Sequence, residues 1–161
     1  MTTQVQEEII INGEKYSLIN CPSFPDSIIQ PKKNLKYYRE SSACWRGYVG
    51  TWEVKDDRLY LVDLSSANYE LVDNPPIFAD WISACLKIAT GESNSRFDTF
   101  DIPIYETEMH LTIENGLVVK TKNISFKNKI RYIEYLLTKK HLNTYQNRLK
   151  NIREIIKEYS N

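Results

Sequence analysis

The chain has 161 residues, 42% hydrophobic and 26% charged, with 21 Lys and Arg against 21 Asp and Glu. That is ordinary globular composition, with enough chain for one core and no need of metals or disulfides to hold it. Three scattered cysteines, Cys21, Cys44 and Cys85, exclude an even disulfide framework, and no apolar run approaches the roughly 18 residues that span a bilayer.

Met1–Glu8 is polar and acidic, without the basic and apolar regions of a secretory leader. A cytoplasmic location with reduced thiols is therefore expected. Glu7–Ile11 and Glu14–Ile19 flank Asn12-Gly13. Asn-Gly between two strand-like runs predicts a tight hairpin, because both turn residues need positive φ. Cys21-Pro22, Phe24-Pro25 and Gln30-Pro31 then break regular structure. A short helix or irregular piece is expected over Lys32–Arg39.

Arg46–Val54 and Arg58–Leu64 alternate with period two around Lys55-Asp56-Asp57 and predict a second hairpin. Asn74-Pro75-Pro76 interrupts again. Ala79–Ile88 fits one face of a strand or of a helix; Thr90-Gly91 ends it early and favours a strand. Gly91–Asp101 is polar and predicts a surface loop. Tyr105–Ile113 and Leu117–Asn123 around Glu114-Asn115-Gly116 predict a third hairpin. About seven strands result.

From Ser125, a plausible N-cap, apolar residues recur at three and four: Ile130, Ile133, Leu137, Leu142, Tyr145, Leu149, Ile152, Ile156 and Tyr159. A continuous helix from Lys127 to Glu158 would be about 48 Å long. A compact domain of this size is about 40 Å across. The helix would then break near Lys139–Asn143 or overhang its body. From Thr121 onward ten Lys and Arg meet three Glu, so the segment carries +7 and the first 120 residues −7. The expected fold class is α+β: about seven mostly antiparallel strands, as a sheet or partly open barrel, followed by a C-terminal helix or helix pair. The expected organisation is one domain, with a β-rich body over 1–124 and a basic helical tail over 125–160.

Five constellations bear on function. Glu106, Glu108 and His110 alternate along one strand face and could offer two carboxylates and an imidazole to a divalent metal. The competing view is a solvated outer face; no metal or cofactor is expected. Ser42-Ala43-Cys44-Trp45 is similar to the signature around a papain-like nucleophile. It lacks the Gln-Gly ahead of it, and a strand follows where a helix should. Gly50-Thr51-Trp52 resembles the G-x-W of lipocalin-like barrels, which implies a small-ligand cavity. Trp45, Arg46, Tyr48 and Trp52 are residue types that dominate protein interfaces. The alternative for them is a core cluster with Arg46 paired to an inward acid such as Glu53 or Asp80. Lys139, Lys140, Arg148 and Arg153 on the tail could meet an anionic partner or simply the acidic body.

Ser42 through Trp52, with Arg58-Leu59-Tyr60-Leu61, resembles small uncharacterised bacterial proteins that share an S-x-A-x-W-R-G-Y-type hairpin. The resemblance covers about a third of the chain. It implies a bacterial source and a mobile or defence-linked gene, and it brings no catalytic residues. The functional expectation is a non-enzymatic protein-interaction module of the immunity, inhibitor or defence-accessory kind. Its partner is another protein, or a second copy through the C-terminal helix, and no membrane is involved. The alternatives are nucleic-acid binding through the basic tail, and a small-ligand barrel or metal-dependent enzyme.

Overall fold

The computed structural model describes residues 4–34, 41–93 and 105–125. Nearly all of them belong to one compact unit, Met1–Gly91 with Glu108–Ile124. A second unit comprises Glu92–Thr107 and Ser125–Asn161. Its described residues include a bridge between Ser93 and Tyr105, beside which the Glu106 N–H donates to the Glu92 carbonyl at 3.0 Å.

Ten strands run in chain order: β1 Glu8–Ile11, β2 Glu14–Leu18, β3 Ile29–Pro31, β4 Val49–Lys55, β5 Arg58–Ser65, β6 Tyr69–Leu71, β7 Ile77–Phe78, β8 Ala84–Ala89, β9 Thr107–Glu114 and β10 Leu117–Ser125. Three two-residue turns set the framework. Asn12-Gly13, Asp56-Asp57 and Asn115-Gly116 all hold positive φ at both positions. Asn, Asp and Gly tolerate that region best, and such turns match the right-handed twist of the flanking strands. At Gly116 a second constraint applies. A Cβ there would lie 2.8 Å from the Ala79 carbonyl oxygen, so only glycine fits without a shift.

The strands close on themselves. Around the ring the order is β10–β9–β8–β2–β1–β4–β5, and β5 returns to β10 through the pair Arg58–Leu117. Two hydrogen bonds fix this seam: Leu59 N–H to the Gly116 carbonyl at 2.8 Å, and Val118 N–H to the Asp57 carbonyl at 2.9 Å. β1 and β4 run parallel, with Glu8 opposite Thr51 and Ile9 opposite Trp52. β7 pairs with β5 outside the ring, and β3 pairs with β6 as a separate ribbon. Pro31 sits at the end of β3, where no ladder hydrogen bond is lost.

Period-two alternation sends one set of side chains into the ring. Ile9, Leu18, Trp52, Leu59, Leu61, Leu86, Ile88, Leu111 and Ile113 fill it, with Ala79 and Ile82 beside them. Each such aliphatic side chain contributes about 1.5–3 kcal/mol on burial. The β4–β5 ladder shifts register between Thr51 and Trp52, so Asp63 faces Thr51 and Leu61 faces Trp52 while Val62 has no partner. This bulge bends β5 at the rim.

The expected α+β class is corrected. The described residues are all β, with a closed seven-stranded barrel and no helix among them. The seven ring strands are the three hairpins plus the strand from the 79–88 region, which begins at Ala84 after a turn at Ala79–Ile82. The sheet or partly open barrel becomes a closed one because Leu117 and Arg58 meet across 59 residues of chain. Ser125, expected as a helix cap, is the last residue of β10. The helical tail, its overhang, the helix-mediated dimer and the piece at 35–39 lie outside the described residues.

Candidate protein-contact site at the Trp45 loop

Glu7 precedes β1 and shares the inward parity of Ile9 and Ile11. Its side chain is 0% exposed. One carboxylate oxygen accepts the Trp52 indole N–H at 2.7 Å. The other lies 2.9 Å from the Arg46 guanidinium as an ion pair, without hydrogen-bond alignment. Burial pushes the Glu7 carboxyl up from its ordinary value. The Trp52 N–H, the Arg46 charge and the Gly50 N–H pull it down without cancelling that rise.

Trp52, grouped by sequence with the contact residues, is 0% exposed and belongs to the barrel core. Phe24 packs 5.3 Å from its ring and Trp81 6.3 Å. Phe24 also meets Tyr48 edge-on at 4.8 Å, and Tyr48 meets Tyr69 edge-on at 6.0 Å. Arg46 lies over the Tyr48 ring at 5.3 Å and donates to the Pro22 carbonyl at 3.5 Å. Stacked and edge-on aromatics with a covering guanidinium make a stable plug at this barrel end. Arg46 is thus paired with an inward acid, but the acid is Glu7 and not Glu53 or Asp80. The indole of the Gly50-Thr51-Trp52 segment is itself part of the buried barrel core.

Trp45 is different. It is 73% exposed, the most exposed large apolar side chain described. Its loop is nonetheless firmly built. Ser41 and Cys44 form a bridge, with the Cys44 N–H donating to the Ser41 carbonyl at 2.9 Å. The Ala43 N–H reaches the Ser41 hydroxyl at 3.3 Å, and the Gly47 N–H reaches the Cys44 carbonyl at 3.0 Å. Cys44 does not sit on a helix; its thiol donates to the Tyr48 carbonyl at 3.4 Å.

The segment leading into β1 grips this loop. The Val5 N–H donates to the Ala43 carbonyl at 2.7 Å. The Gln4 side chain donates to the Ser42 carbonyl at 2.7 Å and accepts the Trp45 N–H at 3.0 Å. Val5, 47% exposed, adds an apolar side chain beside the loop. Gln4, Val5, Glu7 and Phe24 were not among the sequence-derived candidates. For Glu7 a signal existed: it stands two residues before Ile9 on the inward side. For Gln4 and Phe24 none did, since one precedes the first strand and the other sits among prolines.

The structure brings Glu108 and His110 together, carboxylate to imidazole at 2.8 Å. Both side chains are nearly covered, whereas Glu106 is exposed. Among the described residues no group of three or more His, Cys, Asp or Glu could hold a metal ion. No helix among them is long and apolar enough to cross a membrane. Lys139, Lys140, Arg148 and Arg153 lie outside the described residues.

Comparison with known proteins finds no match for the chain: no protein-family model, no curated protein and no solved structure is similar to it.

Proposed function

We propose that this chain is a protein-interaction module whose contact is centred on Trp45. The observation that carries this reading is a tryptophan 73% exposed on a loop whose own backbone is tied down. A large apolar side chain held in water has a favourable burial still to make. Tryptophan is the residue type most enriched among interface hot spots. The Tyr48 carbonyl accepts the Cys44 thiol of the loop, while Trp52 belongs to the core. The partner is a protein with an apolar socket and a basic rim. The body that bears the loop, residues 1–120, carries −7 against +7 on residues 121–161, and a partner approaching that body meets its attraction for lysine and arginine. An inhibitor or immunity-type role needs nothing beyond such a contact.

The test is affinity capture from the native host with the tagged wild-type chain and with Trp45→Ala. Truncating a hot spot costs about 2 kcal/mol, roughly a thirtyfold loss of affinity. The expected result is a basic protein retained by the wild type and lost from the variant, with both chains melting at the same temperature. Equal retention by the two chains rejects Trp45 as the anchor.

A further inference from the structure

Trp45 serves best as an anchor when its loop is ordered before the partner arrives. A loop that must be ordered on binding loses conformational entropy at that moment, which weakens the contact. The Ser41–Cys44 turn accounts for part of the order, but it leaves the Trp45 N–H without an acceptor in the turn itself. That acceptor is the Gln4 side-chain oxygen, at 3.0 Å. The same amide group donates to the Ser42 carbonyl at 2.7 Å. One planar group therefore closes both sides of the loop tip, across 38 and 41 residues of chain. An amide does this because it carries a donor and an acceptor side by side. A carboxylate of the same length can accept from Trp45 but cannot donate to Ser42, and an alanine does neither. The two partners also fix which way the amide points, since the reverse orientation would set donor against donor and acceptor against acceptor.

We propose that Gln4 is the positioning residue of the Trp45 contact: its side-chain amide clamps residues 42–45 against the lead-in to β1 and presents the indole in one place. The Val5 N–H bond to Ala43 lies between the two arms of the clamp and continues the same attachment. The partner's socket then receives a preformed anchor. This inference rests on the contact reading above, but its first test does not need the partner.

Residue-resolved amide hydrogen exchange on the full chain decides it, with wild type, Gln4→Ala and Gln4→Glu compared. In Gln4→Ala the Trp45 amide is expected to exchange about tenfold faster, because its acceptor is gone. Amides of Ile9, Leu86 and Ile88 in the barrel stay at the wild-type rate. Gln4→Glu keeps an acceptor for Trp45 but loses the donor to Ser42, so its Trp45 amide is expected to exchange at a rate between those of wild type and Gln4→Ala. An unchanged Trp45 amide in Gln4→Ala overturns the proposal, since the loop would then be held by its own turn. Uniform acceleration of all amides also overturns it, since Gln4 would then act on global stability alone. Retention of the captured protein is the second arm. A loss in Gln4→Ala, with Trp45 intact, supports positioning. Local exchange acceleration in a chain that retains no protein leaves the clamp in place and rejects the contact.

Discussion

Two tryptophans seven positions apart do opposite things, and the difference is testable. Trp52 is sealed in the core with its N–H on Glu7, so Trp52→Ala should cost about 3–5 kcal/mol in urea unfolding. Trp45→Ala should change stability by less than about 0.5 kcal/mol, because most of its side chain is in water already. Similar losses for both would mean that Trp45 is packed in solution. Glu7 gives a pH signature. Its folded carboxyl holds a proton more tightly than the unfolded chain does. Its contribution to stability is therefore fully present below the ordinary carboxylate value and is lost as pH rises through the raised folded value. Arg46 and Tyr48, which face it, are both shifted upward and keep their protons in that window. Glu7→Gln removes the titration while an amide oxygen can still accept from Trp52. The stability of wild type relative to Glu7→Gln should thus fall as pH is raised from about 4 toward neutral. Parallel pH profiles would contradict a raised Glu7.

At the scale of elements, two glycines with the same backbone requirement separate conformation from space. Gly13 and Gly116 have φ of 80° and 79°. A Cβ at Gly13 meets nothing within 4 Å, whereas one at Gly116 meets the Ala79 carbonyl. Gly13→Ala should cost about 1–2 kcal/mol for the left-handed conformation alone. Gly116→Ala should cost clearly more, and it should loosen the β5–β10 seam that the Gly116 carbonyl helps to hold. Equal thermal shifts for the two variants would argue that the Ala79 approach is not rigid. The hairpins were legible in the sequence because their determinants are local: a two-residue turn and alternating side chains on either side. The same locality hid β3, β6 and β7, which are two or three residues long, too short for periodicity to build up, β3 ending on Pro31 and β7 following Pro76. It also hid the Gln4 clamp, a single polar side chain reaching about forty residues along the chain.

For the whole molecule, the sequence led to about seven strands where ten are described, and it did not disclose that seven of the ten close into a ring. Closure depends on the Arg58–Leu117 pair, and nothing local at either residue announces the other. The α+β expectation followed from apolar spacing after Ser125, and the described residues replace it with an all-β barrel. Charge acts at this scale too: −7 over residues 1–120 and +7 over residues 121–161 cancel in the whole chain, so steering of a basic rim comes from the charge of the body alone, and association should slow as salt is raised. Salt-independent association would remove the basic rim from the partner's description. The proposed contact stands or falls on whether Trp45 touches the partner. A photo-reactive phenylalanine analogue placed at position 45, in cells of the native host, tests it most directly, with the same group at exposed Leu117 on the far hairpin as comparison. One covalent protein adduct is expected from position 45 and none from position 117. No adduct at 45, or the same adducts from both positions, would contradict it.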